Sequence, residues 1–341
     1  MSKALFFASS VALMLAVPCV AFAAVGQSPE DGLRAAIARA RDFREKAGDF
    51  EGEFYFPGEW IVADALYAEA GRINAAGAHD MDYVISAFDM AANSFASIFR
   101  LSISLYAQAR EDEIMMIREG LISAGARAVF PGLMGPADRA AIAAFALYGA
   151  GDYHAARDSA AGAYTMFRIL ETTFGAWQMR REIVRRGFVD YARDNYERAE
   201  VKLADAVQAY LDGDFPVAME GAIEANARYF LVLSAGWAAL AERYFALARA
   251  ERYAAVEARA NVAAVAVFGE ADLLYGTATD SLRLEYYREA AGLFAEAAAL
   301  YGFARTSTLE RRRLAAEAIR EANRQIEERI RAAQEAEPDI N

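Results

Sequence analysis

Cysteine, histidine and lysine are nearly missing from this 341-residue chain, and proline is scarce. Cys19 is the single cysteine and lies at the extreme N-terminal end. The remainder therefore has no disulfide, no thiolate zinc site and no thiol nucleophile. A chain of this length buries a sufficient core without such staples. His79 and His154 are the only two histidines, and neither a His-Glu-x-x-His pair nor an EF-hand loop is present, so a metal centre lacks its usual ligands. Phosphate loops and Gly-x-Gly-x-x-Gly turns are also missing, and Ser123 within Gly120-Leu-Ile-Ser-Ala-Gly125 has the wrong spacing for a nucleophile elbow. Acidic runs such as Glu111-Asp112-Glu113 read as solvated helix faces rather than as a converging carboxylate pair. The expectation is a protein that is not an enzyme, with no cofactor and no metal. A net charge of −12 and a pI near 4.9 argue against nucleic acid and anionic lipid as partners, since both require a basic face.

The N-terminal residues have the order of an export signal. Lys3 forms the positive region, Ala4 to Val17 the apolar region, and Ala21-Phe22-Ala23 a small-x-small cleavage site. Cleavage after Ala23 is the primary reading. Lipidation of Cys19 and retention of the Ala4–Pro29 run as an anchor are the alternatives. Farther on, the longest uncharged apolar run, Tyr229 to Ala241, has the length of a core helix, so no transmembrane helix is expected in the mature chain.

Of seven prolines, only Pro216 falls between Ala137 and Glu337, and alanine, leucine, glutamate and arginine dominate. These are strong helix formers, and strand-type alternation of β-branched residues is absent. The fold class predicted is all-α.

Two stretches align without a gap. Ala144-x-x-Leu147-Tyr148-x-x-Gly151-Asp152-Tyr153-x-x-Ala156 continues to Ala160 and Ala163. Ala206-x-x-Ala209-Tyr210-x-x-Gly213-Asp214-Phe215-x-x-Ala218 continues to Ala222 and Ala225. Each reads as a helix, a left-handed glycine turn, and an aspartate that caps a second helix opening on an aromatic residue. Tyr153 with Ala156, and Phe215 with Ala218, form large–small pairs for close helix packing. Weaker copies are read at Tyr253-x-x-Val256, at Tyr287-x-x-Ala290, and at Ala63-x-x-Leu66-Tyr67 before Tyr83. The anchors Phe215, Tyr253 and Tyr287 set a period of about 34–38 residues.

On these positions the chain resembles tetratricopeptide (TPR) repeat proteins. The resemblance covers Trp60 to Tyr301, and it lacks both the closing proline of each unit and a clear first-helix tryptophan. More loosely, Phe56-Pro57-Gly58-Glu59-Trp60-x-x-Ala63-x-x-x-Tyr67 resembles spirochaetal envelope TPR-like proteins of the treponemal membrane protein type. The resemblance implies an α-solenoid of degenerate helix pairs whose extended surface binds a protein or peptide partner. The domain reading is a signal peptide at 1–23, a helical lead-in at 24–56, the repeat domain at 57–303, and a charged C-terminal helix with a frayed tail at 304–341. Ser307-x-x-Glu310 reads as the capping box that opens this last helix. That helix either caps the array or pairs with a second copy.

Two segments, Ser94–Phe130 and Thr165–Leu203, exceed one helix and are the expected places for a pocket. Gly120, Gly125, Gly175 and Gly187 are read as their break points. Trp177, Trp237 and Phe174 lie off the repeat pattern and are the candidate ligand or partner contacts. The expected function is non-enzymatic binding in the periplasm or at the outer-membrane-associated cell envelope. The alternatives are a small-ligand-binding accessory subunit of a transporter and a structural envelope antigen. A pocket lined by Trp177, Trp237 or Phe174 favours the transporter reading, and a smooth groove favours a protein partner.

Overall fold

A computed structural model describes residues 28–77 and 80–336. Residues 1–23, read as the signal peptide, lie outside the described residues, as does His79. Twelve α-helices and one short 3-10 turn make up the described residues, and no strand is found among them. In order they are α1 (Pro29–Asp49), α2 (Gly52–Tyr55), α3 (Pro57–Ala76), α4 (Met81–Ser123), α5 (Ala126–Val129), α6 (Met134–Ala150) and α7 (Tyr153–Arg186). The 3-10 turn (Val189–Ala192) follows, then α8 (Arg193–Asp212), α9 (Phe215–Glu257), α10 (Ala260–Ala263), α11 (Val265–Arg283) and α12 (Tyr287–Ala336). The chain divides into two compact units, Met1–Glu111 and Asp112–Asn341.

The two Gly-Asp turns form as the sequence demands. Gly151 and Gly213 both adopt φ +81°, and the following Asp152 and Asp214 donate their backbone N–H groups to Leu147 and Ala209 at 3.1 and 2.9 Å. This closes one helix in a Schellman motif. The same aspartates then cap the next helix, each side chain accepting from the backbone N–H of Ala155 or Val217. Tyr153 and Phe215 stand at the first position of α7 and α9, half-buried, and Ala156 and Ala218 behind them are fully buried.

A longer repeat runs through the chain, and every described positive-φ residue belongs to it. Four arginines donate from Nε to a carboxylate twenty residues later: Arg44 to Asp64, Arg118 to Asp138, Arg180 to Glu200 and Arg252 to Asp272, at 2.7, 2.7, 2.6 and 2.8 Å. Seven residues after each arginine the backbone turns left-handed, at Glu51, Gly125, Gly187 and Arg259. Thirteen residues after each acid it does so again, at Gly77, Gly151, Gly213 and Glu285. The acid always follows a fully buried alanine (Ala63, Ala137, Ala199, Ala271), and a second alanine seven residues on (Ala70, Ala144, Ala206, Ala278) is also fully buried. With no side chain beyond Cβ, the two alanines let the helix approach its neighbour closely. A buried ring completes each repeat: Phe95, Phe167, Tyr229 and Tyr301. In the first repeat α4 begins four residues after Gly77, where the helices of the others begin two residues after the corresponding left-handed residue.

The repeat unit is therefore a long helix, a one-turn helix and a second helix, and successive arginines lie 74, 62 and 72 residues apart. The short spacing of 62 reflects a shorter long helix, α7 having 34 residues where α4 and α9 have 43. In the second unit, α6, α8 and α11 pack on the long helices that follow them, and α9 packs on both α7 and α12.

Several expectations are overturned. Tyr253 opens no helix; it lies inside α9, 69% exposed, one residue after the ion-paired Arg252. The aromatic equivalent to Tyr153 and Phe215 is instead Tyr287, half-buried at the first position of α12, with Ala290 fully buried behind it. Tyr83 is likewise exposed. The spacing of 34–38 residues thus joined non-equivalent aromatics. Ser307 opens no helix either: α12 runs unbroken from Tyr287 to Ala336, and the Ser307 hydroxyl donates to the carbonyl of Phe303 one turn back. No helix boundary falls at residue 304. Helices α1 and α2, set apart as a lead-in, belong to the first repeat. Gly120 and Gly175 interrupt nothing, whereas Gly125 and Gly187 do end their helices.

Half-buried polar triads hold the last two repeats. Glu200 accepts from both Arg180 and the Tyr229 hydroxyl, and Asp272 accepts from both Arg252 and the Tyr301 hydroxyl. Burial pushes the Glu200 carboxyl up, but the hydrogen bonds from Arg180 and Tyr229 overcome it and hold the group below its ordinary value. A carboxyl depressed in the folded state stabilises above its unfolded value and loses that contribution as pH falls through its folded value. Glu200→Gln is expected to cost about 1 kcal/mol at pH 7, where hydrogen bonds to a charged group are worth more but exposure screens them. Urea unfolding of both proteins from pH 7 to pH 3 should show this gap closing on acidification. A gap that is constant with pH would rule out the charged triad.

Candidate functional site

A groove in the second unit lies where the end of α4 packs against the middle of α7. It encloses about 640 Å³ and is lined by Glu113, Met116, Ile117, Gly120, Leu121 and Ala124 on one side, and Tyr164, Arg168, Glu171, Phe174, Gly175 and Gln178 on the other. All but Tyr164 come from the two segments expected to hold a pocket, Ser94–Phe130 and Thr165–Leu203. Ile117, Leu121 and Phe174 are buried and form an apolar floor that continues into the core with Phe167 and Leu170. Met116, 68% exposed, marks the solvent edge. The rim is polar, with Arg168 donating to Glu171 at 2.5 Å.

Of the three candidate contacts, Phe174 lines this groove and neither tryptophan does. Trp177 stacks on Phe174 at 5.6 Å and 13°, with the Arg181 guanidinium 5.8 Å from its ring. Trp237 sits elsewhere, between α7 and α12. The Arg186 guanidinium lies 4.1 Å from its ring centroid and Arg288 5.5 Å, while Phe188 meets it edge-on at 5.5 Å. The structure thus brings Phe174 and Trp177 together and leaves Trp237 at a separate place already covered by the chain's own side chains.

Superposing the repeat registers explains the difference. Phe174 corresponds to Gly236, and Ala126 corresponds to Phe188. The two exchanges compensate, since a Cβ on Gly236 would lie 2.3 Å from the Phe188 ring, so large meets small in both repeats. Gly175 corresponds to Trp237, and Ala124 corresponds to Arg186. These two exchanges do not compensate: in the third repeat Arg186 covers Trp237, and in the second both positions are small and the groove stands open. The first repeat fills the same two positions with Phe50 and Ile103, both buried, and the fourth has Ala258 and Leu309 there, Leu309 being 47% exposed.

Sequence reasoning pointed to these two segments and to Phe174 but missed what opens the groove, because the cause is an absence, two small residues at positions whose equivalence shows only in the longer register. Among the described residues no cluster of three or more His, Cys, Asp or Glu side chains has the arrangement of a metal site. Helix α9 is long and apolar enough, by length and composition, to cross a membrane; one face of it packs on α7, α8 and α12. The chain matches no protein-family model, and no curated protein or solved structure matches it either.

Proposed function

We propose that this is a non-enzymatic binding protein of the cell envelope, exported by its N-terminal segment, that holds a protein or peptide partner on its helical-repeat surface. The observation that carries the reading is the groove between α4 and α7, open in one repeat where the other three place at least one large side chain. The repeats of the second unit are proposed to stack as a solenoid of degenerate TPR-like pairs, supported by the two Gly-Asp-aromatic turns and by the alternation of long and short helices. A small-ligand-binding transporter subunit is the second reading, and Phe174 in the groove wall favours it. The polypeptide reading is preferred because the groove opens to solvent along the Met116 edge, where a side chain can enter while its backbone stays outside.

The test is a photo-crosslinking amino acid placed at Met116 in native envelopes. One discrete polypeptide adduct is expected there, and none when the same group replaces Leu273, which is 72% exposed on α11 away from the groove. Equal adducts at both positions, or none at Met116, would remove the groove as the binding site.

A further inference from the structure

We infer that the groove between α4 and α7 takes an aromatic side chain, carried next to a basic residue on the partner polypeptide. The inference rests on the binding reading above and names the chemistry of its occupant.

The chain itself displays that occupant one repeat later. Where the second repeat has Gly175 and Ala124, the third has Trp237 with the Arg186 guanidinium 4.1 Å from its ring. The arginine is held there by Glu182, which stands at the position of Gly120. An indole under a guanidinium, anchored by a carboxylate, is thus the native filling of this site in its filled form. The first repeat has an aromatic filling as well, Phe50 replacing Ala124, buried against Phe99 and Tyr106 at ring distances of 5.5 and 5.3 Å.

The open groove keeps the surroundings that such a filling needs. Its floor is apolar in both repeats, Ile117 and Leu121 standing where Met179 and Ile183 stand below Trp237. Its rim is polar, Arg168 pairing with Glu171 and Glu113 standing opposite. The volume of about 640 Å³ exceeds one aromatic side chain and leaves room for an adjacent arginine or lysine stem. A chain with net charge −12 attracts a basic partner at long range as well. Aromatic and arginine anchors in such pockets are where interfaces concentrate their binding energy. Gly175 is also free to accept a side chain, because a Cβ there would meet only the Asn226 amide at an ordinary 3.5 Å. Its smallness is thus not enforced by packing, unlike that of Gly236.

The experiment follows the methyl resonances of Met116, Ile117 and Leu121 in the mature protein as octapeptides are added. One peptide carries Arg-Trp in a Gly-Ser background, one Glu-Trp, and one Arg-Ala. Saturable shifts are expected with Arg-Trp, at least threefold weaker binding with Glu-Trp, and none with Arg-Ala. The variant Ala124→Arg/Gly175→Trp, which installs the third-repeat filling, should abolish the shifts while keeping the parent circular dichroism. Should that variant fold poorly, Gly175→Leu, which copies the Leu309 filling of the fourth repeat, serves the same purpose with one change. Equal binding of all three peptides, or undiminished binding by a folded filled variant, would overturn the inference. Tryptamine binding as tightly as the Arg-Trp peptide would overturn the assignment to a polypeptide. A Met116 crosslink without any peptide binding defeats the occupant chemistry alone; loss of both defeats the binding reading too.

Discussion

Gly236→Ala is expected to lower the melting temperature of the protein clearly, although it adds one methyl group to a helix and improves intrinsic helix propensity. The reason is steric. A Cβ at this position lies 2.3 and 2.4 Å from the Cγ and Cδ2 atoms of Phe188, and that ring is buried between Tyr191 and Trp237 at centroid distances of 5.7 and 5.5 Å. The ring meets Trp237 edge-on, and the Arg186 guanidinium lies over that indole. Overpacking of this kind costs about 1–3 kcal/mol, or roughly 2–4 °C per kcal/mol for a unit of this size. The compensating exchange in the second repeat supplies a sharper test. Phe188→Ala alone creates a cavity and should cost about 3–5 kcal/mol, while Phe188→Ala combined with Gly236→Phe recreates the Ala126–Phe174 pair of the second repeat. The double variant should be more stable than the sum of its parts by about 0.5–3 kcal/mol. Additive losses, measured by thermal and urea unfolding, would mean that the two positions do not share one space.

Ala218→Leu should be nearly as damaging, and Tyr253→Ala nearly silent. Ala218 is fully buried in the core shared by α6, α7 and α9, beside Phe215 and the Tyr210 ring, whose hydroxyl donates to the Leu133 carbonyl at 2.9 Å. Three added heavy atoms have nowhere to go, at a cost of about 1–3 kcal/mol. Tyr253 is 69% exposed, and its truncation should fall within about 0.5 kcal/mol of zero. The pair discriminates between the two repeat registers: a period near 36 residues requires both positions to matter, and the arginine-to-acid register of 62–74 residues requires only Ala218. A large loss from Tyr253→Ala would restore the shorter period.

The helical class, the Gly-Asp turns and the burial of Ala156 and Ala218 behind Tyr153 and Phe215 were legible in the order of residues alone. Those features are local. A left-handed glycine, an aspartate cap and an alanine three residues beyond an aromatic act within two helical turns, so their residues lie side by side in the chain. The same locality misled the reading elsewhere. Ser307-x-x-Glu310 has the letters of a capping box, but a serine inside a helix satisfies itself on the carbonyl four residues back, and nothing near it breaks the helix. Tyr253 has the spacing of an anchor without a turn before it. The true period emerged only from the packed chain, because its markers are an arginine and a carboxylate twenty residues apart, with a ring 29 residues beyond in the last two repeats. Charged residues are too frequent on these helices for such pairs to stand out in the sequence. Packing also created the site: Ala124 and Gly175 are two ordinary small residues among many, and the space they leave exists only because α4 and α7 bring them together over an apolar floor.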